Sequence, residues 1–541
     1  MKSVYEKKYS KSIFLIIDAL RYDLFDNLKN SSFLYPTLSK LATKGHIRKV
    51  VTNAQSTQFV LPSLFSLTYP LDYGGYNFGI RDRKQSYVES IKKNKKHLTL
   101  LMSSCNQMSV GQSYERGFDK ILTTHDFRIL LEQKITRIFS YELNLYKNKE
   151  VSENYIKKYI EKEFLITLQE LQKNFNYHEN SLWPSRLKNI NDRVVKGISD
   201  EIKILKKDSR IIINKMIKVP AGAYWYTLGK EKYLSRGYYF ERIMVALKWR
   251  SLKIASKFYI LPILLLPHYH VIFGQILKKV IKKLSSIKDK NWHIHMHIMD
   301  VHDCRSINHL FHFLHRIKYL PRWLIAKITK KTKHHFIYCS ALMYVDDCLK
   351  KLFLKMKQDN IFKDTLILVT GDHGNQFAES PRKKDEVGNR TYYEDIQVPM
   401  ILSDKKDRID KEGMCDSMSM SATFLDLLDV PLHKTYKGRS IFKNANKFVI
   451  SENCGSGNAD IFKRDIYFTL TTKQYKLMAV LRKKILQVTK LFCLKDDPQE
   501  LKNIVQNGRH EKLIHHLTKI LYLERKYLFD IRKIDKLRVQ I

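Results

Sequence analysis

Two apolar runs and a third candidate strand end in side chains that could do chemistry. Ile13 to Ile17 (IFLII) leads into Asp18, and Leu366 to Val369 (LILV) leads through Thr370-Gly371 into Asp372-His373. Trp292 to Met299 leads into Asp300-Val301-His302-Asp303. Short continuous apolar runs read as strands buried on both faces. Carboxylate and imidazole groups delivered to one edge make a good ligand set for zinc or manganese. Thr57 lies in STQFVLPSLFS, residues 56–66. A Thr hydroxyl is a poor nucleophile at neutral pH, but a metal on its oxygen would favour the alkoxide and polarise an ester oxygen. The expectation is that Asp18, Asp372 and His373 hold a divalent metal and that Thr57 attacks.

Such groups need a scaffold. In open α/β sheets, ligands bind beyond the carboxyl ends of the strands. Three strand ends carrying Asp or His therefore predict an α/β fold: a central, mostly parallel sheet flanked by helices. Between about residues 127 and 290 the sequence is Lys-rich, with apolar residues at helical spacing, as in EKEFLITLQELQKNF and GQILKKVIKKLSSIKDK. This predicts a basic helical insertion within one domain over residues 1–430, with a helix at about 272–286 feeding the third strand. VPAGAYWYTLG (Val219 to Gly229) reads as a core turn, and Cys339 to Met356 as a helix with a core-facing stripe. Residues 431–541 form a small C-terminal α+β subdomain with strand-like runs (FVIS, IYFTLTT, YKLMAV) and a basic helical tail from about Pro498. His293, His295 and His297 alternate along one strand, ahead of the active-site end, and are expected to be packed or solvent-facing. Asp303, Asp346 and Asp347 are expected to be structural.

Composition narrows the function classes. With 541 residues, 44% hydrophobic and 12% aromatic, the chain is globular. Its 97 Lys+Arg against 54 Asp+Glu give a formal charge of +43, which suits an anionic ester substrate or a peripheral contact with an acidic membrane face. No zinc-finger, RNP-like or helix-turn-helix signature supports nucleic acid as the partner. Seven scattered cysteines without metal-type spacing predict a reduced, cytoplasmic protein. The N-terminal apolar run stops at Asp18, too short for a signal peptide. Phe258 to Phe273 is broken by Pro262, Pro267, His268 and His270 and falls short of the roughly 18 residues of a spanning helix, so none is expected.

Seven segments in order resemble the sulfatase family of the alkaline phosphatase superfamily. They are IFLIIDALRYD, NAQSTQFVLPSLFSLTYP, SYERGFD, HIMDVHD, LILVTGDHG, NRTYYEDIQVPMIL and LFCLKDDPQELKNI. The resemblance implies the alkaline phosphatase/sulfatase-like fold and a zinc, manganese or calcium ion. It also implies cleavage or transfer of a sulfate or phosphate ester through a covalent intermediate. True sulfatases place the Cys or Ser that matures to formylglycine where this chain has Val60, and they tend to pair Asp at the first strand, where Ala19 follows Asp18. The loop is similar to that of phosphoethanolamine transferases, Thr-x-x-x-x-Pro-Cys-x-Phe-Ser, matched here by Thr57, Pro62, Phe65 and Ser66, with Ser63 replacing Cys. Thr57 is thus the expected nucleophile, with Ser56 as its neighbouring alternative. His302 falls where relatives carry a substrate-contacting His. Arg390 stands near their anion-binding Lys or His, and a guanidinium suits bidentate contact with sulfate or phosphate. The family's transferases usually carry N-terminal membrane helices, absent from this sequence. This favours a soluble or peripheral enzyme acting on glycan or lipid-linked envelope precursors. The alternative is a non-catalytic scaffold that binds anionic glycan or a membrane surface, which Val60 favours and the metal set disfavours.

Overall fold

The computed structural model describes residues 9–541 except 109–111, 178–182, 184, 256–271, 305–315, 377–379, 381–388, 405–411, 456–458, 507 and 535–537. Eight strands form the main sheet: β1 (Lys11–Ile17), β2 (His46–Val51), β3 (Leu98–Ser103), β4 (Lys120–Thr123), β5 (Trp292–Ile298), β6 (Thr365–Thr370), β7 (Gln397–Leu402) and β8 (Cys415–Asp416). Their order is β4-β3-β5-β1-β6-β7-β2-β8. The three strands expected to carry the site, β5, β1 and β6, are parallel neighbours at its centre. Only β7 runs against its neighbours, pairing antiparallel with β6 and β2.

Strand alternation sorts the core into two layers. Ile13, Leu15 and Ile17 of β1 join the apolar cluster built by the insertion helices and the helix Phe336–Gln358. Phe14 and Ile16 point the other way, into a cluster with the helices Thr57–Ser66 and Ser417–Leu427. Asp18 continues the even series, so its parity belongs to the face that holds Thr57.

The insertion is helical, including Phe127–Lys134, Ser140–Lys147, Glu153–Tyr177, Ser185–Lys207, Ser209–Lys218, Arg236–Ala255 and Phe273–Ser286. The last of these feeds β5, as its spacing predicts. The aromatic turn near Val219 is a short helix, Ala221–Thr227, with Tyr224 fully buried. The Tyr224 hydroxyl donates to Glu201, which also accepts the buried Lys215 ammonium at 2.7 Å. A second sheet follows: β9 (Phe448–Asn453), β10 (Ile466–Thr472), β11 (Tyr475–Arg482), β12 (Ile485–Cys493) and β13 (Arg538–Gln540), in the order β13-β12-β11-β10-β9. One apolar cluster joins it to the main sheet across residue 430. No helix among the described residues is long and apolar enough to cross a membrane. The interrupted stretch Phe258 to Phe273 lies mostly outside those residues. All seven cysteines are free thiols, six of them buried.

Candidate active site

Four expected site residues meet at the carboxyl ends of β1 and β6. The Thr57 hydroxyl lies 3.1 Å from Asp18 Oδ2 and 3.2 Å from His373 Nε2. The same Nε2 is 3.6 Å from Asp18 Oδ1 and 3.7 Å from Asp372 Oδ2. Asp18 and Asp372 are completely buried, and Thr57 and His373 nearly so.

Local backbone explains this convergence. Ala19 adopts a left-handed φ of 62°, uncommon for a residue with a side chain. This folds β1 sharply over, so that the Ala19 amide donates to Asp372 Oδ1 at 3.3 Å. A Cβ on Gly371 would lie 2.5 Å from the Leu20 carbonyl oxygen, and one on Gly374 would lie 1.9 Å from that of Glu394. Both positions of Gly-Asp-His-Gly therefore require glycine for close backbone approach. Thr57 is the first residue of its helix. Ser56 makes no side-chain cap, which leaves the positive helix end facing the cluster.

Two buried oxygens, Asp18 Oδ1 and Asp372 Oδ2, have no hydrogen-bond donor among the described residues. Unsatisfied buried carboxylate oxygens are costly, and a bound cation is one of the few ways to satisfy them. Two carboxylates, an imidazole and a hydroxyl are a donor set that suits such an ion. Tetrahedral oxygen or nitrogen ligands at about 2.0–2.1 Å from a metal lie roughly 3.3–3.4 Å from one another, and the separations here straddle that value. His302 belongs to the same group: its donor atom lies within 4.8 Å of those of Asp18 and His373. Its ring is 39% exposed, at the mouth, and its Nδ1 is 2.8 Å from Asp303 Oδ1.

The electrostatics follow from this crowding. Burial would raise the Asp18 carboxyl, but His302, the hydrogen bond from His297 and His373 bring it down to about 2. Partial loss of solvent around the ring works against a charge on His302, yet Asp18 and Asp303 carry it up to about 10.

Two expectations need correction in detail. His293 and His295 are packed, as expected: Ser12 and Tyr87 hold them, and burial pulls both imidazoles toward the neutral form. His297 is neither merely packed nor solvent-facing. Its Nε2 sits 3.2 Å from Asp18 Oδ2, because β5 pairs His297 with Ile16 and so brings it to the face and the strand end that carry Asp18. Cys105, just beyond β3, completes a second grouping with Asp18 and His297. Alternation plus parallel register is the signal that could have found His297; nothing local marks Cys105. Arg390 is the other case. Its Nη2 is 3.3 Å from Asp395 Oδ1, and the Asp395 carbonyl oxygen accepts the Gly374 amide. Arg390 thus stands behind the His373 loop, with Asp395 between. Asp346 is structural as expected, capping the helix Pro36–Lys44 through the Thr37 and Leu38 amides. Asp347 bonds Tyr319.

Residues 234–430 match the family model described as Sulfatase, and residues 388–526 match that of the C-terminal part of N-sulphoglucosamine sulphohydrolase. A stretch of 108 residues is 27% identical to the multifunctional alkaline phosphatase superfamily protein PehA of Trinickia caryophylli, spanning 19% of this chain and only 20% of that protein. Among solved structures, a phosphonate monoester hydrolase from Silicibacter pomeroyi superposes with a TM-score of 0.54 at 14% identity, over 96% of this chain and 95% of that one. A 2-O GAG sulfatase superposes with a TM-score of 0.50 at 10% identity, over 97% and 93%. At these identities the likeness is one of fold.

Proposed function

Because the chain belongs to the sulfatase family of the alkaline phosphatase superfamily, we propose that it is a metal-dependent enzyme acting on sulfate or phosphate esters through a covalent Thr57 intermediate. One observation carries this reading: the Thr57 hydroxyl lies in a buried ring of Asp18, Asp372 and His373 whose two spare carboxylate oxygens lack donors. In this reading Asp18, Asp372, His373 and Thr57 hold a divalent ion. When bound, such an ion lowers the proton affinity of a hydroxyl and polarises an ester oxygen.

The chain's own residues do the rest. Thr57 Oγ gives up its proton to solvent and forms a bond to the sulfur or phosphorus as the bond from that centre to the ester oxygen breaks; the ester oxygen leaves with the electron pair and takes up a proton from solvent at the open mouth. Water, or an acceptor hydroxyl in a transferase, then attacks the same centre and releases Thr57. Asp18 accepts the hydroxyl's hydrogen bond before attack. The helix that begins at Thr57 directs its free amides toward the developing negative charge. His302, at the open mouth, contacts a non-bridging oxygen or the leaving group. Arg390 supplies positive charge from behind Asp395. Glycan or lipid-linked esters are the substrate class this reading extends to.

The test is metal content together with turnover of nitrophenyl sulfate, phosphate and phosphodiester probes by the native protein, Thr57→Ala and Asp372→Ala. About one metal ion per chain in the native protein, with activity lost in both variants, is expected. Neither metal nor activity would leave the chain a non-catalytic scaffold. We also expect the basic insertion to rest on acidic lipid. Replacing its Lys clusters should lower liposome binding while sparing turnover of a small aryl ester, and equal loss of both would overturn that contact.

A further inference from the structure

The turn that ends β1 is held from outside the sheet. The Leu20 amide donates to the Ile17 carbonyl at 3.1 Å, closing a β-turn with Asp18 and Ala19 at its centre. Ala19 takes the third position, where a positive φ favours glycine. An alanine keeps a left-handed conformation only where its surroundings over-determine it. Ala19 is completely buried and lies two residues past the end of β1, outside its ladder of strand pairs. The constraint on it therefore comes from another element.

One side chain supplies it. The Tyr338 hydroxyl donates to the Ala19 carbonyl at 2.8 Å and accepts the Arg21 amide at 3.1 Å. A phenol both donates and accepts, so a single oxygen fixes the peptide groups on either side of Leu20. Tyr338 is buried in the first turn of the helix Phe336–Gln358, within the apolar cluster on the insertion side of the sheet. Its ring packs edge-on against His334, with 6.1 Å between centres. The held segment also reaches the other half of the site. The Ala19 amide donates to Asp372 Oδ1. The buried Arg21 guanidinium grips Asp23 through Nε and Nη2, and its Nη1 donates to the Asn375 carbonyl at 3.2 Å, two residues past His373.

We propose that Tyr338 is a positioning residue, whose hydroxyl holds the Ala19 turn so that Asp18 and Asp372 are set for a divalent ion. The part played by the ion rests on the function proposed above; the hold on the backbone does not. Tyr338 acts through the two peptide groups it bonds. Without its hydroxyl, the buried Ala19 carbonyl and Arg21 amide each lose a partner, and the turn relaxes toward the negative φ that an alanine prefers. That relaxation swings the Ala19 amide away from Asp372 and changes the direction in which the chain leaves Asp18. Partners one layer behind metal ligands typically set affinity over a 10- to 100-fold range.

Two measurements test this: zinc titration against a chromophoric chelator, and hydrogen exchange of the metal-free protein. They compare native protein, Tyr338→Phe, Ala19→Gly and the double variant. Tyr338→Phe keeps the ring and should weaken zinc binding about 10- to 100-fold. In metal-free protein it should speed exchange about tenfold in residues 18–21 and leave the centres of β1, β5 and β6 as slow as in the native protein. Glycine reaches a positive φ without help. The zinc penalty of Tyr338→Phe should therefore fall toward one when Ala19→Gly is already present. If Tyr338→Phe fails to fold, Ala19→Gly should restore it, and a double variant that also fails overturns the assignment. Equal zinc affinity in native protein and Tyr338→Phe overturns it too and leaves the metal reading intact. So does a penalty undiminished by Ala19→Gly, or faster exchange throughout the main sheet, since the hydroxyl then serves the fold at large. A native protein that binds no zinc, with the faster exchange confined to residues 18–21 in Tyr338→Phe, sinks the metal reading and leaves the hold on the turn standing.

Discussion

Two clusters of buried charge flank the Thr57 helix, and they are built on opposite plans. The first is Asp18, Asp372 and His373 at its N-terminal end. The second holds the loop beyond its C-terminal end. There Arg525, fully buried, donates to both oxygens of Glu452 at 2.6 and 2.9 Å and to Asp72 at 3.0 Å. The remaining demand is also met. Lys437 reaches Asp72 Oδ2, as does the Tyr69 amide, and the Leu71 amide reaches Glu452. Every carboxylate oxygen of the second cluster has a donor, while the first keeps two without one among the described residues. A satisfied buried network holds parts of a fold together. An unsatisfied one is a site prepared for something else. Burial and charge alone do not tell the two apart; counting lone pairs does.

The widest split between them should be in turnover. Thr57→Ala is expected to lower the rate by at least about 10³-fold, the scale on which removing a covalent nucleophile acts. Arg525→Met should leave turnover per folded molecule close to native. A comparable loss in both would erase the distinction between the clusters.

Stability should split with opposite sign. Arg525→Met leaves Glu452 buried without its cation and Asp72 with Lys437 alone, and breaking such a buried pair costs about 3–5 kcal/mol. Asp372→Asn in metal-free protein keeps the acceptor for the Ala19 amide and removes a buried carboxylate oxygen that has no hydrogen-bond donor among the described residues. It is expected to raise stability by about 1–3 kcal/mol. Urea midpoints on chelator-treated protein would measure both. A destabilised Asp372→Asn would show that the Asp372 charge is already compensated.

Adding zinc or manganese to chelated native protein should stabilise it by about 2.7 kcal/mol at a hundred times the dissociation constant. Asp372→Asn should respond little, and Arg525→Met should respond as the native protein does. Metal stabilisation that ignored Asp372 would place the ion elsewhere.

The two clusters also differ in how far the sequence reveals them. β1 and β6 carry continuous apolar runs, and β5 alternates His with apolar residues, so their ends, and with them Asp18, Asp372-His373 and His302, stand out from the pattern of residue types alone. Thr57 stands out less by its surroundings than by its loop. The second cluster leaves no trace in the sequence. Its members come from a loop, a strand and a helix end, with Asp72 and Arg525 separated by 453 positions. No periodicity reports a contact of that span. His297 is intermediate. Its alternation with His293 and His295 is visible, but only the parallel register with β1 shows that the last of the three reaches Asp18. Arg390 is the opposite case: its place in the chain is suggestive, and in the structure it pairs with Asp395 behind the His373 loop. β4, at one edge of the main sheet, is short, and β2, next to the other edge, is mixed in polarity, so both are less legible than the centre.

A third arrangement, between the satisfied and the unsatisfied, gives the smallest effect. His293 lies on the same face as the first cluster, fully buried, with Ser12 and Tyr87 as neutral partners. Burial, helped by repulsion from His97, holds its imidazole down to about 3, so the side chain avoids charge rather than pairing it. The direction of the pH effect follows. Above the ordinary histidine value of about 6.5, folded and unfolded chains both carry a neutral ring, and the residue costs nothing. As pH falls below that value, the unfolded chain binds a proton that the folded chain refuses, so stability declines until the folded value is reached. Between pH 6 and 4 the loss should approach about 1 kcal/mol per pH unit from this residue. His293→Asn should flatten that part of a stability profile measured by urea unfolding at a series of pH values. A profile equally steep in the variant would mean that the ring is charged in the folded protein. His293 would then have to find a counter-ion in a layer where its described neighbours include Ser12, Tyr87 and the aromatic face of Phe424.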